Sequence, residues 1–403
     1  MSKQATISNK PTVLAVGLFV PGTGFTRVFE TLFTILSAQY DIHWMGIGYR
    51  EKSFVTPHYT LHPVNREGGD IFGAFGTAAM AEELGAKTIW LLNDFYLLRN
   101  YGYVWEPLKK KGIRLVAYVP LDGYFNQAEL VADCCFLDDL VLYSNWALEE
   151  VKSNMELYGR EHNVPHWPHL HCIYHGVDIH GFRKANAVLA AQLRQKIFAV
   201  PAAADAFFIL NANRYNERKD IDCSLQAFSL ALPSFQQPTY LCLHMPATDP
   251  VKKKELDETI ARYGLQDHII CNPLGDEYVS NEQLCELYQA CQVGINTSLG
   301  EGWGLISFEH AACGGAQIVP GHSTPGELWK NAGLLIPAKE PIQLETSPFR
   351  MYKLDEERLA DQLITLVNDR IYREQVRKKC YALACDKKFD WEEIATSWQS
   401  LIG

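Results

Sequence analysis

Short apolar runs alternate with stretches that place apolar residues on one helical face through most of the chain. In the first half, runs typical of buried strands lie at 13–19, 42–46, 88–92, 115–119 and 140–143, and helical patterns lie at 25–36 and 146–158. In the second half, strand-like runs lie at 207–210, 240–244, 268–272, 292–296 and 317–319. Because strands that alternate with helices build parallel sheets, the pattern predicts an α/β protein with Rossmann-like lobes.

Length, composition and charge narrow the class of protein. The 403-residue chain exceeds the usual size of one hydrophobic core, so we expect two domains. Hydrophobic residues make up 47% of the chain and charged residues 21%, which predicts little disorder. The net charge of −10 argues against nucleic acid as a partner and against strong binding to anionic membranes.

Targeting features are missing from the sequence as given. No apolar run approaches the ~20 residues that cross a membrane, and the opening residues 1–4 begin no signal peptide. The 11 cysteines lack the spacing of zinc sites and are typical of buried residues in a reducing compartment. We therefore expect a cytoplasmic protein without a transmembrane segment, and its oligomeric state stays open.

A glycine-rich loop carrying Glu301 follows the run at 292–296, and a helix is predicted to open near Leu305. Glycines let a backbone come close to a ligand, and a helix N-terminus directs free N–H groups and a positive dipole end towards anions. Glu309 falls one turn inside this helix, where its carboxylate can accept two vicinal hydroxyls. The loop therefore predicts a ligand with phosphates and sugar hydroxyls.

Two cations follow the run at 207–210, which agrees with an anionic ligand. Arg214 and Lys219 lie in a polar loop at the carboxyl end of that predicted strand, where open α/β sheets bind ligands. We assign Arg218 to the surface. Asp220 and Asp222 match a D-x-D metal motif in spacing, but Asp220 falls where a helix begins, so we interpret the two as an N-cap and a first-turn acid.

The span from Glu301 to Glu309 resembles the E-x7-E motif of retaining glycosyltransferases of family 4, which have the GT-B fold. The resemblance implies two Rossmann-like domains that face each other across a deep cleft. It also implies that Glu309 holds the ribose hydroxyls of a nucleotide sugar and that Glu301 faces the donor sugar. The backbone implied to bind the sugar and diphosphate is that of Gly302, Trp303, Gly304, Leu305 and Ile306.

Arg214 and Lys219 resemble the cationic clamp that the family places on the donor diphosphate. In GT-B enzymes such cations and the helix dipole stabilise the leaving diphosphate in place of a divalent cation. The resemblance therefore implies no metal and no cofactor, because the nucleotide sugar is itself a substrate.

Two further segments resemble family elements and suggest the domain boundaries. Residues 173–178 resemble the G-V-D element where the first lobe meets the second, and residues 389–394 resemble the terminal helix that crosses back. We therefore predict an N-terminal acceptor domain at 1–180, joined by residues 388–403. A C-terminal donor domain is predicted at 181–387.

Five more residues are candidates through their loops. Gly22 and Gly24 follow the first predicted strand, where the family contacts phosphate or acceptor, and Leu274 lies where backbone atoms meet the nucleotide base. Asp94 and Asp122 follow other strands of the first lobe. Relatives often place a histidine or aspartate near the transferred sugar at such strand ends, yet either aspartate serves equally well as a turn residue.

The sequence thus predicts a retaining, metal-independent glycosyltransferase. It would move a hexose, with GDP-mannose as the first expected donor and UDP-glucose as the second, to a hydroxyl of a glycan or small acceptor. The 14 basic and 19 acidic residues within 1–180 favour such an acceptor over a membrane-borne one. The alternatives are a nucleotide-sugar 2-epimerase-like enzyme, with Asp94 or Asp122 as catalytic carboxylate, and a catalytically silent nucleotide-sugar binding protein.

Overall fold

The structure is a computed structural model that describes residues 10–64, 68–246 and 248–403. The opening residues considered for a signal peptide lie outside the described residues. The described residues group into two units: the first takes its residues from Met1–Leu121, Gln127–Gly176 and Trp391–Gly403, and the second from Asp122–Asn126 and Val177–Asp390.

The elements up to residue 176 are β1 (Thr12–Leu18), α1 (Gly24–Leu36), β2 (Asp41–Ile47), β3 (Phe54–Val55), β4 (Thr60–Pro63), α2 (Ala74–Leu84), β5 (Thr88–Leu92), α3 (Gly102–Lys109), β6 (Arg114–Val119), β7 (Tyr124–Phe125), β8 (Asp139–Leu142), α4 (Asn145–Glu161) and β9 (His169–Cys172). Those that follow are α5 (Ala187–Ile197), β10 (Phe207–Asn211), α6 (Ile221–Ala231), β11 (Thr239–Leu243), α7 (Pro250–Arg262), β12 (Ile269–Cys271), α8 (Asn281–Ala290), β13 (Val293–Ile295), α9 (Leu305–Ala312), β14 (Ala316–Pro320), α10 (Ser323–Leu328), β15 (Leu334–Ile336), β16 (Ala338–Gln343), β17 (Phe349–Leu354), α11 (Glu356–Asn368), α12 (Arg370–Ala384) and α13 (Trp391–Ile402).

The first unit is built on a sheet with the strand order β3-β4-β2-β1-β5-β6-β8-β9, whose described pairs are parallel except β3 with β4. Large aromatic side chains fill its core. Trp90 of β5 lies 4.5 Å from Trp398 of α13 between ring centroids, and the Thr88 hydroxyl donates to the Ile402 carbonyl at 3.2 Å. These contacts explain why the last helix belongs to the first unit.

The second unit is built on a parallel sheet with the order β12-β11-β10-β13-β14-β15. Its central strands are fully buried, which explains their continuous apolar runs. Because all these strands run the same way, the loops after β10, β13 and β14 leave the sheet at one edge. That edge carries most of the residues that the sequence predicts for donor binding.

The ten strand-like runs predicted from the sequence all coincide with strands, and no end differs by more than one residue. The predicted architecture of two Rossmann-like α/β domains is confirmed. The units divide after Gly176 and after Asp390, a few residues from the boundaries predicted at 180 and 387. Among the described residues, no helix is long and apolar enough to cross a membrane.

One segment departs from the predicted division, which assigned all of 1–180 to the first lobe. Residues Asp122–Asn126 belong to the second unit. The reason is strand pairing: β7 pairs antiparallel with β17, placing Tyr124 opposite Arg350 and Phe125 opposite Phe349. Since β16 also pairs with β17, these strands form a separate antiparallel sheet, and Asp122 lies at its start.

Candidate functional site

The loop between β13 and α9 has the geometry that its glycines predict. Gly304 is the N-cap of α9 and has φ of +91°, a conformation that residues with a Cβ rarely adopt. A Cβ there would lie 3.5 Å from both the Asn296 amide nitrogen and Cγ of Glu301. The first residues of the helix, Leu305 and Ile306, have N–H groups for which an α-helix supplies no internal acceptor.

Glu301 lies in this loop with its side chain buried, and its residue is 7% exposed. The Lys219 ammonium donates to its Oε2 in a short, buried contact. Ser298 Oγ lies 3.1 Å from the same oxygen, and the Asn296 amide contacts it at 3.4 Å. The structure therefore brings together a glutamate and a lysine that are far apart in the sequence.

The charges of this pair are strongly perturbed. Burial alone would raise the pKa of Glu301, but the Lys219 ammonium and the Arg218 guanidinium outweigh it and lower that pKa from 4.5 to about 2. Burial lowers the pKa of Lys219, and the attraction of Glu301 opposes that effect. Glu301 is therefore ionised throughout the physiological pH range.

Arg218 is not the surface residue that the sequence analysis assigns. Its guanidinium donates to the Gly300 carbonyl at 2.6 Å and lies 3.3 Å from Asp122 Oδ1 and 3.7 Å from Glu301 Oε1. The same Asp122 oxygen accepts the Gly302 N–H at 3.0 Å. Asp122 thus anchors the loop that carries Glu301. Its partners could not be predicted from the neighbouring sequence, because they are distant along the chain.

An amide network beneath Glu301 was also missed by the sequence analysis. Asn213 Nδ2 donates to Asn211 Oδ1 at 3.0 Å and contacts Asn296 Oδ1 at 3.3 Å. Asn296 Oδ1 also accepts from Ser298 Oγ at 2.6 Å. The available signal was that asparagine ends or follows two apolar strands, β10 and β13. Because the network is buried, it holds these loops in one arrangement.

Glu309 and Arg214 have contrasting surroundings. Glu309 is 4% exposed, one turn inside α9, and its Oε2 accepts the Tyr288 hydroxyl at 3.2 Å. Arg214 is exposed, and its side chain has no hydrogen-bond or ion-pair partner in the described part of the chain. A carboxylate offers about four lone-pair sites, so Glu309 can accept more than one hydrogen bond.

Trp303 and Leu274 differ in what their side chains do. The Trp303 ring is buried and stacks on Phe308 at 4.8 Å between centroids, with Phe389 at its edge. Its side chain therefore packs in the core. Leu274 is half-buried in a turn after β12, which Asn272 ties to the end of β11 by accepting the Met245 N–H at 2.6 Å.

The remaining candidates lie in the first unit. Gly22 has φ of +81° in the turn between β1 and α1, and Gly24 is the first residue of α1. Asp94 immediately precedes a 3₁₀ turn, and the Tyr96 hydroxyl lies 3.4 Å from its Oδ2.

The predicted N-cap role of Asp220 is confirmed. Its side chain accepts the Cys223 N–H at 3.3 Å at the start of α6, while Asp222 pairs with Arg262 at 2.9 Å. Among the described residues, no group of three or more His, Cys, Asp or Glu side chains is placed to hold a metal ion. The absence of a metal requirement stays a prediction.

Comparison with known proteins adds a family match and a fold. Residues 193–383, which lie within the second unit, match the family model of glycosyl transferases group 1. The serotype-specific mannosyltransferase WbdA of Escherichia coli is 26% identical over 189 residues. That alignment spans 47% of this chain and 20% of the relative, so the chain covers a minor part of the relative's length.

Solved structures match nearly the whole chain. Sucrose-phosphate synthase from Thermosynechococcus elongatus superposes with a TM-score of 0.72 and 18% identity, over 97% of this chain and 98% of that one. A glycosyltransferase from Rickettsia africae has a TM-score of 0.71 and 13% identity, over 98% of each chain. Anabaena Alr3699/HepE, solved with UDP and glucose, has a TM-score of 0.67 and 15% identity, over 97% and 99%. The chain therefore has the GT-B fold.

Proposed function

We propose that this chain is a glycosyltransferase that moves a hexose from a nucleoside diphosphate sugar to a hydroxyl of a glycan or small acceptor. The buried contact between Lys219 and Glu301, beside the N-terminus of α9, carries the proposal. A paired cation and carboxylate at the carboxyl edge of a parallel sheet suit a ligand with both phosphate and sugar. The match of residues 193–383 to glycosyl transferases group 1 supports the same activity.

Donor binding would use three kinds of group. The N–H groups of Leu305 and Ile306, together with Lys219, would bind the diphosphate, because helix N-termini and ammonium groups both stabilise phosphate. Arg214 is exposed, follows β10 as Lys219 does, and would add a second cation. Glu309 would accept the ribose hydroxyls. No metal is needed, since these groups neutralise the leaving diphosphate.

The transfer step would break the bond between the anomeric carbon and the diphosphate oxygen. A bond from the acceptor oxygen would form on the same face, and the acceptor proton would pass to the leaving phosphate oxygen, retaining configuration. Glu301 cannot serve as the proton donor, because its pKa of about 2 keeps it ionised. It would instead accept hydrogen bonds from hydroxyls of the donor sugar and orient it.

The expected donor is GDP-mannose. The mannosyltransferase relative, at 26% identity, favours mannose, although the chain covers only 20% of that relative. UDP-glucose is the second candidate. We expect backbone atoms near Leu274 to recognise the nucleotide base, so the choice between GDP and UDP does not depend on side-chain identity there.

The test is a donor panel with matched variants. GDP-mannose, UDP-glucose, UDP-N-acetylglucosamine and UDP-galactose are incubated in EDTA with the protein and a panel of sugar acceptors. Donor binding, release of nucleoside diphosphate and the sugar product are measured. Lys219→Ala and Glu309→Ala should abolish release. Lys254→Ala should not, because Lys254 is exposed and pairs with Glu258 on the next helical turn.

Release from one donor with transfer to added sugar acceptors would support the proposal. Release of a free, epimerised sugar would instead support the hypothesis of a 2-epimerase-like enzyme. Binding without release across a broad acceptor panel would support a silent binding protein. Failure of every donor to bind would refute a nucleotide-sugar site in this protein.

A further inference from the structure

The antiparallel sheet β16-β17-β7 has two chemically different faces. Along β17, Phe349 and Met351 are buried, whereas Arg350 is exposed and Tyr352 is half-buried. Alternate residues of a strand point to opposite sides, so Arg350 and Tyr352 share one face. Tyr124 pairs with Arg350 in register and joins that face. We call Tyr124, Arg350 and Tyr352 the aromatic face.

Backbone contacts and the Met351 side chain fix this sheet to the loop that carries Glu301. The Tyr352 N–H donates to the Leu299 carbonyl at 3.0 Å. A Cβ on Gly300 would lie 3.1 Å from Cγ of Met351, and one on Gly123 would lie 2.7 Å from the Arg350 carbonyl oxygen. The backbones therefore touch, and the sheet that carries the aromatic face is held beside the loop with Glu301.

The aromatic face combines rings with a guanidinium. The rings of Tyr124 and Tyr352 meet edge to face, with centroids 5.5 Å apart and planes at 83°. The guanidinium carbon of Arg350 lies 5.9 Å from the centre of the Tyr124 ring. Among the described residues, no carboxylate lies within ion-pair distance of Arg350. In a protein of net charge −10, this cation next to two tyrosines is locally uncompensated.

A buried histidine adds hydrogen-bonding capacity against the same tyrosine. His322 follows β14, is 8% exposed, and its ring lies 5.6 Å from that of Tyr352 between centroids. Its Nε2 has no hydrogen-bond partner among the described residues. Buried polar atoms are usually paired, so an unpaired ring nitrogen beside a half-exposed tyrosine is typical of a site that a ligand completes.

We propose that the aromatic face is the acceptor subsite and binds a glycosyl unit that carries an anionic group, a phosphate or a carboxylate. A pyranose ring has an apolar face of C–H groups that packs on tyrosine, and a tyrosine hydroxyl can form hydrogen bonds with sugar hydroxyls. A guanidinium forms paired hydrogen bonds with phosphate or carboxylate. The inference rests on the proposed function, because it assigns the acceptor to the sheet that contacts the loop with Glu301.

The test measures acceptor binding separately from donor binding. Dissociation constants for glucose 6-phosphate, glucuronate and glucose are determined by ligand-observed NMR, with GDP and UDP affinities measured on the same samples. We expect the wild type to bind an anionic sugar about tenfold more tightly than glucose, and Arg350→Gln to remove that preference. Arg358→Gln is the control, since Arg358 is similarly exposed but lies on α11.

Tyr352→Leu should weaken all three sugars about tenfold and leave nucleotide affinity unchanged. Preference for glucose 6-phosphate or for glucuronate would identify the anion. Equal binding of anionic and neutral sugars by the wild type, or an unchanged preference in Arg350→Gln, would overturn the inference. Because Arg350 is exposed, that variant stays informative even if Tyr352→Leu misfolds. If the wild type binds neither GDP nor UDP, the proposed function is refuted instead.

Discussion

Replacing Lys219 by methionine isolates the electrostatic cost of burying Glu301. The pKa of Glu301 falls from an ordinary 4.5 to about 2, a difference equivalent to about 3 kcal/mol of folding free energy at neutral pH. A folded-state pKa below the unfolded value gives stability that is present above pH ~4.5 and is lost as pH falls towards 2. Lys219 is the nearest source of that stability.

Without Lys219, Glu301 keeps Ser298, Asn296 and the more distant Arg218 at 3.7 Å. Removing one partner of a buried ion pair costs about 3–5 kcal/mol, and because Arg218 remains we expect about 3 kcal/mol for Lys219→Met at pH 7. Burial then raises the pKa of Glu301 in the variant. The deficit should therefore shrink as the pH is lowered from 7 to 4, where Glu301 becomes protonated.

The assay is urea unfolding at several pH values for the wild type, Lys219→Met, Glu301→Gln and the double variant. We expect the double variant to recover much of the loss, with a coupling energy of at least about 2 kcal/mol. The exposed pair Lys196–Glu286, 2.7 Å apart, is the control and should show less than about 1 kcal/mol. A Lys219→Met deficit below about 1 kcal/mol, or one that does not change with pH, would refute the reasoning.

Three further predictions concern the second unit, which also carries Lys219 and Glu301. A Cβ on Gly300 would lie 1.9 Å from the Asp122 carbonyl oxygen, so Gly300→Ala should displace the loop and lower kcat/KM about 100-fold, while Gly159→Ala, with room for a Cβ, should not. Burial lowers the pKa of His310 from 6.5 to about 4, so its contribution to stability is complete above pH 6.5 and is lost as pH falls towards 4. His310→Gln should reduce the slope of unfolding free energy by up to about 1.4 kcal/mol per pH unit near pH 5, measured by urea unfolding, and an unchanged slope would contradict this. Gly304→Ala places a Cβ at φ +91° and should cost about 1–2 kcal/mol in the same assay.

Strand positions were predictable because a buried parallel strand needs an unbroken apolar run. The strands of the β16–β17 hairpin were not predictable on that basis. Strand β16 is largely exposed and carries Lys339, Glu340 and Pro341, and its partner β17 is completed by β7 from a distant part of the chain. Pairing between distant segments, and not local pattern, stabilises this sheet. The same pairing explains why Asp122, which the sequence assigns to the first domain, belongs to the second unit.

Individual site residues show the same limit. The loop with Glu301, Gly304 and the start of α9 follows from glycine placement and helix propensity, which are local. Arg218 and Lys219 are adjacent cations, and the surrounding sequence does not distinguish their roles. In the structure, Lys219 donates to Glu301 Oε2 and Arg218 donates to the Gly300 carbonyl. Such a division depends on which distant groups face each side chain.

Glu301 therefore has two cationic neighbours at unequal distances, and the difference bears on how a donor would bind. Lys219 contacts Oε2 directly, whereas the Arg218 guanidinium lies 3.7 Å from Oε1 and is itself held by Gly300 and Asp122. If Lys219 turns to a diphosphate, Arg218 remains, so Glu301 is not left as an unpaired buried charge. Apolar replacement of buried ion pairs is often neutral or stabilising, so a buried ion pair is weak evidence of a gain in stability. What the arrangement supplies in return is a set of charges already oriented before the substrate arrives.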